Sequence, residues 1–202
     1  MQMTNSSTAS ARLPSTEEVQ AFLTGKHVRL RPYVRGFMPR DALAQMWSAV
    51  EADGSALDLL YGRRAMPKPP TPYDTRGDLI DFVDYFKGDD KLLVLVEVIE
   101  THELAGFLWL DDMIPLFRGT VNLFFRKEYR GKVAFEAGRI FRDYCCQVLR
   151  FKSLWGLTPW RHSVAMGRWL GMKKIAVLPS FQMIDGVAMD VYVLRFEASN
   201  AL

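Results

Sequence analysis

TVNLFFRKEYRGKVAFEAGRIFRDYCCQVLR, residues 120–150, divides into an apolar run, a basic turn and an amphipathic stretch. In the first part Val121, Leu123 and Phe125 alternate with Asn122 and Phe124, the apolar-rich run of a mostly buried strand. Further on, Ala134, Ala137, Phe141, Tyr144, Cys145 and Val148 recur at three- and four-residue spacing, which predicts a helix with one buried face. Between the two stand Arg126, Lys127, Arg130 and Lys132 with a single glycine, Gly131. A basic turn that opens a helix suits an anion, because the first helical N–H groups lack intrahelical partners and the helix dipole is positive there. A plain solvated turn would use the same residue types, and the spacing alone leaves both readings open.

Downstream, 152–157 is a short apolar run bounded by Pro159, expected as a buried strand parallel to 121–125 because a helix joins them. Ser163 has the place of an N-cap for a helix over 163–170 that Gly171 stops. Two strands, 174–178 and 187–196, follow, joined by a loop through SFQMIDG. Upstream, 91–100 and 104–111 alternate as a hairpin, and Thr75 caps an expected helix over 76–86 with Leu79, Phe82, Val83 and Phe86 inward. A proline-rich loop occupies 61–77, and Pro39 begins a helix whose buried face is Leu43, Met46, Trp47 and Val50. Residues 27–34 read as a strand in which Pro32 argues for an edge or a kink, and Ser15 with Glu18 has capping-box spacing for a first short helix. Residues 1–14 are small and polar, expected as a mobile leader, which leaves 15–202 as one α+β domain.

Composition sets the outer limits. A chain of 202 residues with 49% hydrophobic and 24% charged side chains has the make-up of an ordinary globular protein with a substantial core. A formal net charge of +3 admits anionic partners. Arg29, Arg31, Arg35, Arg63 and Arg64 form no continuous basic block, and nucleic acid is not an expected partner. The two cysteines, Cys145 and Cys146, are adjacent in the expected helix, where their side chains diverge by about 100° and do not suit a mutual disulfide. No metal-type cysteine or histidine spacing occurs, no apolar run reaches membrane-span length, and a reduced, cytoplasmic setting is the expectation.

Two local patterns and the order of elements resemble the GNAT superfamily of acyl-CoA-dependent N-acyltransferases, with the ribosomal-protein-alanine acetyltransferase branch the nearest in flavour. Glu128-Tyr129-Arg130-Gly131-Lys132-Val133-Ala134-Phe135-Glu136-Ala137 resembles that branch's E-Y-R-G-K-G-x-A-x-E-A phosphate loop, with Val133 and Phe135 where the pattern has small residues. Ser163, followed eight residues later by Gly171-Met172, resembles the N-x-x-S…G-F segment, with Trp160 in place of the asparagine. Gly106-Phe107-Leu108 matches the family's hairpin strand.

The resemblance implies an α+β fold with a mixed, mostly antiparallel central sheet, a parallel splayed pair and flanking helices. It implies acetyl-CoA as co-substrate, its pantetheine arm in the gap between the splayed strands, and an amine acceptor such as a protein side chain or N-terminus. The residues it assigns to acetyl-CoA are Phe124, Phe125, Arg126, Arg130, Gly131, Lys132, Val133, Ala134, Phe135 and Ser163. The usual glutamate base falls on Thr120 and the usual tyrosine acid on Gly167. Asp111 and Asp112, ending the hairpin strand, are the candidate bases in their place. His162 could orient Ser163 or meet a phosphate, and an exposed helix-start histidine is the plainer reading. The alternative is a catalytically silent module of the same fold, used as a structural or partner-binding protein. Oligomeric state and acceptor are left open by the sequence.

Overall fold

Seven strands form one sheet in the order β1-β2-β3-β4-β5-β7-β6 in a computed structural model that describes residues 15–33, 40–53, 82–83, 85–86, 91–184 and 187–198. The 1–14 leader, the proline-rich loop, Pro39, Thr75 and Leu79 lie outside the described residues. The strands are β1 (Val28–Pro32), β2 (Leu92–Val98), β3 (Leu104–Ile114), β4 (Arg118–Phe125), β5 (Ser153–Thr158), β6 (Lys173–Ile184) and β7 (Val187–Glu197). Every neighbouring pair is antiparallel except β4 and β5, which are parallel. That one pair carries the helical crossover, as chain connectivity requires.

Helix α1 (Thr16–Phe22) starts at the expected capping box, with the Glu18 backbone N–H donating to Ser15 Oγ and the Ser15 N–H to the Glu18 carboxylate. Helix α2 (Arg40–Ala52) buries Leu43, Met46, Trp47 and Val50, the face its spacing predicts. Helix α3 (Lys132–Asp143) buries Ala134, Ala137, Gly138, Ile140 and Phe141, then passes into a π-helical turn over Tyr144–Val148. The extra residue in that turn was not legible in the spacing. Cys145 lies in the core, as its spacing predicts, where burial pushes its thiol well above the ordinary pKa, and burial raises half-buried Cys146 to about 11. Helix α4 (Arg161–Trp169) starts two residues before the expected Ser163, with Trp160 as its N-cap residue, so Ser163 lies inside the first turn rather than capping it. Gly171, at φ 85°, ends it.

The sheet separates two cores. On one face α1 and α3 pack on Val28, Leu30, Val94, Val96, Leu108, Leu110, Phe125 and Leu154. On the other, α2 with Phe82 and Phe86 packs on Leu93, Leu95, Phe107, Trp109 and Phe124, with edge-on ring contacts such as Phe82 to Phe107 at 5.5 Å. Each fully buried Phe or Leu contributes about 1.5–3 kcal/mol. None of the described helices is long and apolar enough to cross a membrane. β6 departs from expectation: it runs on through Pro179 to Ile184 where a loop was predicted. Pro179 is tolerated because β6 is the outermost strand, where a missing N–H breaks no ladder on the open side.

Candidate functional site

The parallel pair is joined over three residue pairs only: Arg118 with Ser153, Gly119 with Leu154, and Thr120 with Trp155. β4 continues to Phe125 and β5 to Thr158, so the two strands part beyond Thr120 and Trp155. The Arg126 N–H donates to Ala105 O on β3, and counting back in twos turns the N–H and C=O groups of Val121, Leu123 and Phe125 toward β5. The same count from the Ala198 N–H, which donates to Lys152 O, turns Ser153, Trp155 and Leu157 toward β4. Leu123, Phe125 and Leu157 therefore present backbone edges to an opening gap. Val121, Asn122 and Leu123 are half-buried in a strand flanked on both sides, as parting strands require. On the α3 face the gap meets an apolar cavity lined by Val121, Leu123, Phe141, Leu154, Leu170 and Met172.

Above the open end, a short 3-10 turn (Lys127–Tyr129) leads to Gly131, the N-cap residue of α3. Gly131 lies at φ 128° and ψ −129°, and a Cβ built there would meet nothing within 4 Å. The glycine is therefore demanded by the backbone, not by crowding. No side chain caps this helix start, and its first turn holds no acidic residue. The first N–H groups of α3 are orphans by helix geometry, beside exposed Lys132. The pattern's departures are absorbed by packing. Val133 has no positive φ and packs against the first core, and the Phe135 ring lies 4.4 Å from Trp169 of α4. Neither bulky side chain strains the loop.

Arg130 is already engaged. Its Nε–H donates to Phe125 O at 3.1 Å and its guanidinium meets Asp53 at the end of α2 at 2.7 Å. It thus braces the lip of the gap with a positive group. Phe124 stacks on Phe107 in the second core with its backbone groups turned toward β3, and Phe125 fills the first core, so Phe125 reaches the gap through its backbone and Phe124 does not. Arg126 lies away from it, bonded to Leu104 O and paired with Glu128 at 2.5 Å. Tyr129 donates to Glu103, a bond that raises the phenol pKa. Ser163 is half-buried in α4, and exposed His162 stacks near Trp160 at 6.2 Å.

At the closed end the two aspartates separate. Asp112 is exposed on a β-bulge at φ 49°. Asp111 is 3% exposed, and its Cα pairs with Thr120, the last β4 residue joined to β5. Its Oδ2 accepts from Tyr85 Oη at 2.8 Å, Asn122 Nδ2 at 2.9 Å and Trp109 Nε1 at 3.1 Å, and its Oδ1 accepts from Lys91 Nζ at 3.1 Å. The sequence pattern singled out none of Tyr85, Lys91, Trp109 or Asn122 for this site. The signal was the hairpin register, since Trp109 and Asp111 on β3 share a face with Thr120 and Asn122 on β4. The usual acid position, Gly167, is closed: a Cβ there would lie 2.5 Å from Leu194 Cδ1 on β7. No group of three or more metal-ligating side chains occurs among the described residues.

No family model matches the sequence, and no curated protein matches it. Solved structures do match in fold. A dodecameric spermidine N-acetyltransferase from Vibrio cholerae superposes with a TM-score of 0.64 at 16% identity, over 88% of this chain and 98% of that one. The ribosomal-protein-S5-alanine acetyltransferase from Vibrio fischeri gives a TM-score of 0.64 at 16% identity, over 88% of this chain and 96% of that one. The likeness is one of architecture, and the chain has the GNAT acetyltransferase fold.

Proposed function

We propose that this chain is an N-acetyltransferase that moves an acetyl group from acetyl-CoA to an amine, with a protein N-terminus or side chain as the acceptor. The observation that carries the proposal is a parallel pair that parts after three residue pairs, below an uncapped, glycine-led helix start, with a buried carboxylate at the apex. The two solved neighbours are named for acetyl transfer to amines. The residues present fit the co-substrate: the Gly131–Ala134 N–H groups with Lys132 and Arg130 suit its pyrophosphate, and the edges of Leu123, Phe125 and Leu157 suit its amide-bearing arm. Acetyl-CoA supplies the activated thioester carbonyl.

The chain's own residues supply position and proton handling. A β4 N–H at the gap polarises the carbonyl oxygen. The acceptor amine must lose a proton as its new amide bond forms, and the departing thiolate must gain one. Thr120 cannot accept that proton as a carboxylate would, and its cross-strand neighbour Asp111 is the nearest carboxylate along the register. The Asp111 carboxylate, whose Oδ1 accepts from Lys91 Nζ, takes that proton through water. With Gly167 in place of a tyrosine, solvent protonates the thiolate, and the rate rises with pH as the amine deprotonates.

The test offers acetyl-CoA with peptides bearing free N-termini, lysine peptides and polyamines, following thiol release and acetylated product by mass spectrometry. The expected result is product formed in step with thiol, with peptides preferred. Acetyl-CoA that binds while no acceptor is labelled would replace the proposal with a catalytically silent binding module.

A further inference from the structure

Four residues stand in one row across the apex of the gap. Asp111 of β3 pairs with Thr120 of β4, Thr120 with Trp155 of β5, and Trp155 with Arg195 of β7. Cross-strand partners share a face of the sheet, and Trp109, two residues before Asp111, puts the row on the face of the second core. That core ends at β4, since none of its residues lies on β5 or β7. Trp155 and Arg195 therefore border it, both half-buried. The Trp155 Nε1–H donates to Ser153 Oγ at 3.2 Å, which fixes the ring, and the Arg195 guanidinium carbon lies 5.3 Å from the ring centroid. Arg195 Nη2 pairs at 2.6 Å with Oε1 of Glu197, whose side chain is 68% exposed. Arg195 Nε is buried without a hydrogen-bond partner, the one side-chain nitrogen or oxygen so placed among the described residues. A guanidinium held on a ring with a donor left over is suited to receive an oxygen acceptor.

We infer that Trp155 and Arg195 select the acceptor: it carries a carboxylate a short way from its amine, and Arg195 holds that carboxylate over the Trp155 ring. The inference rests on the acetyl-transfer reading only for the place of the amine, at the apex beside Thr120. Strands lie about 4.8 Å apart, so a guanidinium over Trp155 stands one to two strand spacings, about 5–10 Å, from the apex. An extended chain advances about 3.3–3.6 Å per residue, which brings an acidic side chain at the second or third residue of a peptide within reach. The C-terminal carboxylate of a very short peptide meets the same distance. Exposed Glu197 is a weak competitor, because a solvated ion pair gains little. A carboxylate arriving over the ring takes two N–H groups of the fork side by side, Nε among them. The same arrangement disfavours polyamines, whose second ammonium meets the guanidinium at that distance.

The test measures peptide binding to the full chain by calorimetry, with and without coenzyme A, and acetylation of the same peptides from acetyl-CoA by mass spectrometry. The peptides have free N-termini and amidated C-termini and differ only in Glu or Gln at the second or third residue. A Glu peptide should bind at least about tenfold more tightly than its Gln partner, the size of one charge-assisted contact. Arg195→Met, checked for folding by circular dichroism, should bring the two within about twofold of each other. Glu197→Gln, an exposed change, should tighten the Glu peptide because a competing carboxylate is gone. An Ala-Gln dipeptide with free or amidated C-terminus shows whether a main-chain carboxylate serves in place of a side chain. No carboxylate preference in either series, a preference that survives in folded Arg195→Met, a Glu-peptide affinity unmoved by Glu197→Gln, or spermidine bound more tightly than any peptide would overturn the inference. A carboxylate preference that depends on Arg195 without any acetylated product would sustain it and remove the acetyl-transfer reading instead.

Discussion

Replacing Asp111 by Asn removes one charge from a buried carboxylate and leaves its shape nearly unchanged. The asparagine has one carbonyl and one amide group to offer four donors. If the carbonyl faces Tyr85, Trp109 and Asn122, the amide points at the Lys91 ammonium; in the other orientation it points at three donors. The first arrangement is cheaper, and it still converts a charge-assisted bond into a donor–donor contact beside a lysine whose side chain is only 17% exposed. Losing such a bond costs about 1.5–3 kcal/mol, and leaving a partly buried ion without its carboxylate brings the total to about 2–4 kcal/mol. For a chain of this length each kcal/mol moves the melting temperature by about 2–4 °C, so the expected drop is about 4–16 °C. Thermal denaturation followed by circular dichroism reads this directly. A double-mutant cycle with Lys91→Met isolates the ion pair from the remaining bonds. Acetyl transfer per folded molecule should fall by about 10²–10⁴ if Asp111 takes the amine proton. A melting temperature within about 1 °C of the parent would refute the buried four-donor arrangement. A destabilised variant with undiminished transfer would leave Asp111 as a structural group.

Other outcomes follow from the same structure. Gly131→Ala places a side chain in open space at a φ and ψ that only glycine adopts readily, so it should cost about 1–3 kcal/mol by backbone strain alone and weaken acetyl-CoA binding with it; a variant of unchanged stability would show that the loop relaxes freely. Arg130→Glu should weaken acetyl-CoA binding by about 1–3 kcal/mol in calorimetry, and unchanged affinity would remove Arg130 from the site. The Cys146 thiol keeps its proton in the folded chain up to about pH 11, while the unfolded chain releases it near the usual 9.0, so the unfolded state binds fewer protons and stability falls as pH rises between those values. Cys146→Ala should flatten that decline in denaturant melts, and native thiols should alkylate slowly at pH 8, with Cys145 the slower.

Elements whose cause is local were legible in the sequence. The Ser15 and Glu18 capping box, the buried face of α2, the edge position of Pro32 and the stop at Gly171 each depend on a few neighbouring residues, and each stands where spacing put it. The parallel crossover was legible because one helix joins two apolar runs. What escaped depends on register. The SFQMIDG stretch read as a loop between two strands, and the place of Pro179 on an outermost strand, with a bulge pinned by Asp190, lets β6 continue to Ile184. Asp111 and Asp112 looked alike as neighbours, yet the bulge buries one and exposes the other. Ser163 had capping chemistry, but the Thr158 hydroxyl accepts the Trp160 N–H and α4 starts two residues earlier. Gly167 carried no sequence signal of its close approach to Leu194.

The reading of the gap and its glycine-led helix start as an acyl-CoA site is tested most directly by titrating acetyl-CoA into the uniformly ¹⁵N-labelled full chain and following backbone amides. The expected result is saturable shifts concentrated on the amides of Gly131, Lys132, Val133 and Ala134 and on Leu123 and Leu157 along the gap, with β1 unmoved. Titration to millimolar acetyl-CoA that leaves those amides in place, or shifts a different surface instead, would contradict it.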